Sequence, residues 1–190
     1  MPLKDIYIFV EGLNDIEFVN KILKPLLKMK YREVYPIPTK LPYKYGRKVM
    51  DIEKINSFVN NFRNRDDAEY IFMIDFDGMN YPNPITIEEK KDELIQKIPS
   101  LDNNRHNILI VVEEIESWYL AGLDTNDAEF LQIPDYNNTE EISKEKFFSI
   151  IPSDYDELEF RLELLERFKV PIAVKKNKSF SYFSKCSKWC

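Results

Sequence analysis

Histidine is nearly missing from this chain: His106 is the only one among 190 residues. Serine–histidine triads and helical His-Glu-x-x-His zinc sites are therefore out of reach. Cysteine is almost as scarce. Cys186 and Cys190 stand together near the end, and two thiols without neighbouring histidines make a poor zinc site; reduced thiols suit a cytosolic redox setting. Only four glycines occur. No Gly-x-x-x-x-Gly-Lys-Ser/Thr cradle and no Gly-x-Gly-x-x-Gly turn follows a strand, which argues against the common nucleotide-binding loops. No apolar run approaches the ~18 residues of a membrane span. The opening Met-Pro-Leu-Lys-Asp leads straight into a strand and leaves no room for a signal peptide. The expectation is a cytoplasmic protein without membrane contact. An excess of positive charge is lacking too. The net charge of −6 speaks against a broad, histone-like nucleic-acid surface. Disorder is excluded by a hydrophobic content of 44% that includes 13 Phe.

What is present is a recurring pattern. Three apolar runs end abruptly at carboxylates: Ile6 to Val10 before Glu11, Tyr70 to Ile74 before Asp75 and Asp77, and Ile108 to Val112 before Glu113, Glu114 and Glu116. Runs of about five Ile, Val and Phe residues without polar alternation suggest strands buried on both faces, as parallel strands are. Ligands of open parallel sheets bind at the carboxyl ends of the strands. Neighbouring strands would thus bring distant acids to one edge. Such a group repels itself unless protonated or neutralised, and a hard divalent cation is the usual neutraliser.

Between these runs the pattern turns helical. Asn14 is placed to cap a helix that carries Ile16, Phe18, Val19, Ile22 and Leu23, with Glu17 at its third position. Pro25 is expected to kink that helix or end it early. Val34 to Ile37 reads as a short strand whose prolines suit a sheet edge. Helices are expected over about 49–63 and 86–97. Strand–helix alternation of this kind predicts an α/β sheet with right-handed crossovers. From about residue 124 the pattern changes to helical stretches near 143–151 and 154–168, then a basic, aromatic tail over 175–189. The expected organisation is an α/β core over 1–123 and a helical extension over 124–190. No internal repeat or low-complexity tract is evident.

The acids suggest chemistry. Asp75 and Asp77 are two apart, so on a continuing strand their side chains share a face. Such a pair suits Mg2+, which takes few protein ligands and keeps several waters. Glu11 is placed to join the metal or to act as general base. Glu114 and Glu116 share parity on an extended chain, whereas Glu113 and Glu116 share a face on a helix; Glu116 is the preferred member. The plainer explanation is that each acid favours the positive end of a following helix, and Asp15 in particular fits that role. Gly12 and Gly78 directly follow strand-end acids, where glycine permits a sharp turn. Two basic groups interleave with aromatics: Lys40, Lys44, Arg47 and Lys48 around Tyr43 and Tyr45, and Lys175, Lys176, Lys178, Lys185 and Lys188 near the end. Solvated faces explain both, and phosphate tracking with base stacking would also use them.

In order and spacing, Val10-Glu11-Gly12 with Asp15, then Asp75-Phe76-Asp77, then Glu114 through Ala121 resembles the TOPRIM superfamily, and within it the small stand-alone TOPRIM-like proteins. The resemblance covers roughly residues 5–123. The segment around Trp118 and the late stretch of Ser179, Phe180 and Phe183 are similar to the narrower group. The resemblance implies a mostly parallel, Rossmann-like sheet of about four strands flanked by helices. It also implies Mg2+ or Mn2+ at Glu11, Asp75, Asp77, Glu114 and Glu116. Glu11, Asp75 and Asp77 would then be catalytic in phosphodiester hydrolysis of nucleic acid. Lys44, Arg47 and Lys48 would meet substrate phosphates, and a separate ATPase or other protein would be a partner. No tyrosine nucleophile, primase zinc module or ATPase domain is evident, which points to the hydrolytic or the binding branch. Two rivals stand beside this reading. One is a TOPRIM-like module that binds without catalysis. The other is a haloacid dehalogenase-like phosphatase using Asp75: Asp75-Phe76-Asp77-Gly78 fits that motif, but Met79 follows and some 70 residues precede it.

Overall fold

The computed structural model describes residues 3–39, 52–62, 65–76, 86–101, 107–112 and 114–185. The three apolar runs form strands β1 (Asp5–Val10), β3 (Ala68–Phe76) and β4 (Ile108–Val112), and the proline-bearing run forms β2 (Val34–Pro38). They make one parallel four-stranded sheet in the order β2-β1-β3-β4, flanked by helices. The α/β expectation holds. Pro36 and Pro38 sit where the sequence reading wants them, on an edge strand, because proline has no N–H for a second ladder.

The chain divides into two compact units, Met1–Ile74 with Gly78–Ile110, and Asp75–Asp77 with Val111–Cys190. In the first, β1 pairs with β2 and with most of β3. Phe9 lies opposite Phe72, their rings stacked at 4.5 Å. The helix α3 (Ile52–Phe62) presents Ile55, Phe58, Val59 and Phe62 at helical spacing, with Phe62 against Tyr7 and Tyr70. At the start of β1, Arg32 grips the Asp5 carboxylate with two bonds of 2.8 Å. The helix α4 (Ile87–Lys97) is capped by Thr86, whose hydroxyl accepts from the Glu89 N–H.

The helical stretch after β1 differs from expectation. It begins as α1 (Leu13–Phe18), widens into a π turn (Val19–Leu23), and finishes as α2 (Lys24–Leu27). Its N-cap is Gly12 rather than Asn14, because Asp15, not Glu17, reaches back to the cap N–H. Pro25 neither ends nor breaks the helical path. The π turn lies immediately ahead of it, where an α register would set the proline ring against the carbonyl four residues back.

In the second unit, α5 (Ile115–Ala121) is buried along its whole length. It packs on α7 (Lys144–Ser149), α8 (Glu157–Arg167) and α9 (Val170–Lys176). Ser143 and Asp156 cap α7 and α8, so the two expected helices are present and shorter. Three further helices, α6 (Thr125–Leu131), α9 and α10 (Lys178–Lys185), were not foreseen. Phe147, Phe160, Phe180 and Phe183 are fully buried in this unit. Among the described residues no helix is long and apolar enough to cross a membrane.

Candidate functional site

At the exit of β1 the backbone goes from fully buried Val10 to half-buried Glu11. The Gly12 N–H donates to Asp15 Oδ2 at 2.9 Å, so Asp15 serves the helix start, the plainer of the two roles considered for it. Gly12 itself is extended (φ −144, ψ −173), a conformation open to any residue, so no left-handed turn demands glycine there. The exit of β2 is tied to the same place. Thr39 donates to the Val10 carbonyl from both its N–H (2.8 Å) and its hydroxyl (2.9 Å). Lys44, Arg47 and Lys48, the expected phosphate contacts, lie outside the described residues.

β3 runs through Asp75 to Phe76, and both residues are half-buried. Asp75 is thus a strand residue near the carboxyl end. Asp77 and Gly78 lie outside the described residues, as does Glu113 after β4.

After β4 the chain enters α5 through Glu114, an extended N-cap (φ −138, ψ 161) whose side chain makes no capping bond to the helix. The helix has begun by Glu116, so the strand parity that would align it with Glu114 does not apply. Glu116 is only 3% exposed. Its Oε1 accepts a 2.6 Å hydrogen bond from Arg161 Nη2, and Arg161 Nε donates to Glu157 Oε1 at 3.0 Å. The guanidinium lies over the rings of Phe147 (4.6 Å) and Tyr119 (5.2 Å). Burial works against the Arg161 charge, but Glu116, with smaller help from Tyr119 and Glu157, more than offsets it, and the pKa is raised above its ordinary value. Arg161 Nη1 has no hydrogen-bond partner. The acid preferred from sequence as a metal ligand is therefore one half of a buried ion pair, and a metal role is left to its other oxygen.

Sequence reasoning missed Arg161, and its only signal was a mid-helix arginine amid the apolar and acidic positions of α8. A second polar group ties the two segments singled out around Trp118 and Ser179. Ser179 Oγ accepts from Trp118 Nε1 (2.7 Å) and from the Val112 N–H (3.3 Å), and donates to Asn177 Oδ1 (2.8 Å). Phe180 and Phe183 close on the Trp118 ring at 5.1 and 6.1 Å. Trp118 is core, as expected, and the Ser-Phe-x-x-Phe spacing is what lets α10 bring a hydroxyl and two rings to it.

Half-buried Glu11, Asp75 and Glu114 offer hard oxygen donors of the kind Mg2+ and Mn2+ prefer. Among the described residues no three or more His, Cys, Asp or Glu side chains converge on one point that would hold a metal; Asp77 and Glu113 are outside that set.

The family model described as "Domain of unknown function (DUF4276)" matches residues 10–185 of the chain. No curated protein and no solved structure matches it.

Proposed function

The chain belongs to the DUF4276 family, and for it we propose divalent-metal-dependent hydrolysis of phosphodiester bonds in nucleic acid, in the cytoplasm. The observation that carries this reading is the strand order. β1, β3 and β4 are consecutive in a parallel sheet, and each is followed or ended by acids: Glu11, then Asp75 and Asp77, then Glu114 and Glu116. Carboxyl ends of adjacent parallel strands are where such sheets bind ligands.

In this reading Asp75 and Asp77 hold Mg2+ or Mn2+ together with an acid from the β4 end. Glu114 is favoured over Glu116 for that place, since Arg161 engages Glu116. When bound, the metal polarises the phosphoryl group and lowers the pKa of water. Glu11 is either a further ligand or the base that takes the proton from the attacking water. Lys44, Arg47 and Lys48 neutralise substrate phosphates. A module that binds without catalysis is the second reading, and the use of Glu116 in a structural ion pair is what favours it.

The test is cleavage of labelled single- and double-stranded DNA and RNA with and without added Mg2+ or Mn2+. Metal-dependent cleavage that disappears in both Glu11→Ala and Asp75→Ala is expected. Turnover of small phosphomonoesters that Glu11→Ala tolerates and Asp75→Asn abolishes would replace the reading with the phosphatase one. Nucleic acids that stay intact throughout would leave the binding module.

A further inference from the structure

The helix α10 carries two faces of opposite character. Ser179, Phe180 and Phe183 are buried against the rest of their unit. Lys178, Ser181, Tyr182 and Lys185 stand at i, i+3, i+4 and i+7, so they share the other face. Together they line a depression of about 280 Å³. No carboxylate is among these four lining residues. Tyr182 is 60% exposed, so this face carries a large aromatic side chain in contact with solvent. Lys178 is almost fully exposed and touches Glu140 Oε2 at 3.1 Å. The Glu140 side chain is only 14% exposed, so of this pair it is the lysine that faces solvent and can meet a further anion.

We infer that this face of α10 binds single-stranded nucleic acid, with Lys178 and Lys185 on backbone phosphates and Tyr182 stacked under a base. The choice of ligand rests on charge and shape. Two ammonium groups separated by two helical turns, about 10 Å along the axis, suit a repeating polyanion better than one small anion. An exposed ring between them suits an unpaired base, since stacking on aromatics joined to a cationic track is how single strands are held without sequence preference. Ser181 adds a hydroxyl donor for a phosphate oxygen. A duplex keeps its bases stacked on each other and leaves Tyr182 without a role. The nucleic-acid class follows the proposed function, but binding here is separable from cleavage.

The experiment is fluorescence anisotropy of a labelled oligothymidylate with the full chain in EDTA, which suppresses metal-dependent cleavage. It is repeated over a range of salt with Lys178→Gln/Lys185→Gln, Tyr182→Ala and Tyr182→Phe, all surface changes. Removing two phosphate contacts is expected to weaken binding at least tenfold at low salt. It should also flatten the log–log salt slope by about 1.4, at roughly 0.7 per phosphate for single strands. Tyr182→Ala is expected to cost about tenfold with the slope unchanged, and Tyr182→Phe to bind like the parent, because stacking needs the ring and not the hydroxyl. Lys91→Gln/Lys97→Gln on α4 removes the same charge elsewhere and should leave affinity in place. Parent-like binding by the α10 variants would overturn the inference while leaving cleavage to be judged separately. Loss of binding in those variants without any metal-dependent cleavage would uphold it and sink the hydrolase reading. A parent chain that binds no single strand ends it outright. Equal or tighter binding of polyglutamate, insensitive to Tyr182→Ala, would assign the face to an acidic protein and overturn it as well.

Discussion

Arg161 and Glu116 are each almost fully buried, with side-chain exposures of 3% and 4%. Two charges taken out of water recover their desolvation cost only through each other and their remaining hydrogen bonds. Removing one partner therefore strands the other. Arg161→Ala and Glu116→Ala are each expected to destabilise the fold by about 3–5 kcal/mol, whereas an apolar pair such as Glu116→Leu/Arg161→Met should recover most of that loss. Urea unfolding of the four proteins checks it. If the double variant falls as far as the sum of the singles, the pair is not the source of the effect. The same comparison bears on the metal reading. A Glu116 whose loss is felt in stability but not in metal affinity belongs to the interior, and Glu114 then carries the β4 end alone.

At the scale of elements, the junction that ends α5 is the sensitive point. Gly122 has ordinary helical angles (φ −78, ψ −6), so its backbone does not call for glycine. The Phe168 ring does: a Cβ on Gly122 would lie 2.3 Å from Phe168 Cδ2 and 2.5 Å from its Cγ. The same junction is stitched by the Lys169 N–H on the Gly122 carbonyl at 2.8 Å. Gly122→Ala is expected to cost about 1–3 kcal/mol by forcing the ring aside, in the manner of an overpacked core. Gly122→Ala/Phe168→Ala should cost less than the two single changes added together, because the clash is gone. Thermal or urea denaturation reads this directly, and strict additivity would rule out the contact as the cause. Helix ends also mark where sequence reading succeeded and failed. Ser143 and Asp156 announce α7 and α8 by capping, and both helices were expected. Asp124, whose carboxylate accepts from the Asp127 N–H at 3.1 Å, caps α6 in the same way. That helix went unseen because its seven residues hold few apolar positions and so no periodicity.

For the whole molecule, a divalent ion bound only by the folded chain raises its stability by mass action. At a hundred times the dissociation constant the gain is about 2.7 kcal/mol, or about 5–10 °C in melting midpoint for a chain of this size. Mn2+ or Mg2+ is expected to raise the midpoint of the parent chain, with the rise lost in Asp75→Asn and Glu11→Gln. A parent midpoint that ignores both ions removes the metal from the proposal, whatever the fate of added nucleic acid.

The sheet was legible because its cause is local. Unbroken apolar runs such as Ile6 to Val10 and Ile108 to Val112 suit strands buried on both faces, and Pro36 and Pro38, which cannot donate to a second ladder, suit an edge. The acids that follow those runs were legible for the same reason, as was the core place of Trp118. Their employment was not. Whether Glu116 faces inward and which cation meets it 45 positions later are settled by how α5 packs on α8. That packing follows from shape and charge matched across segments far apart in the chain, which no run, period or spacing within either segment records.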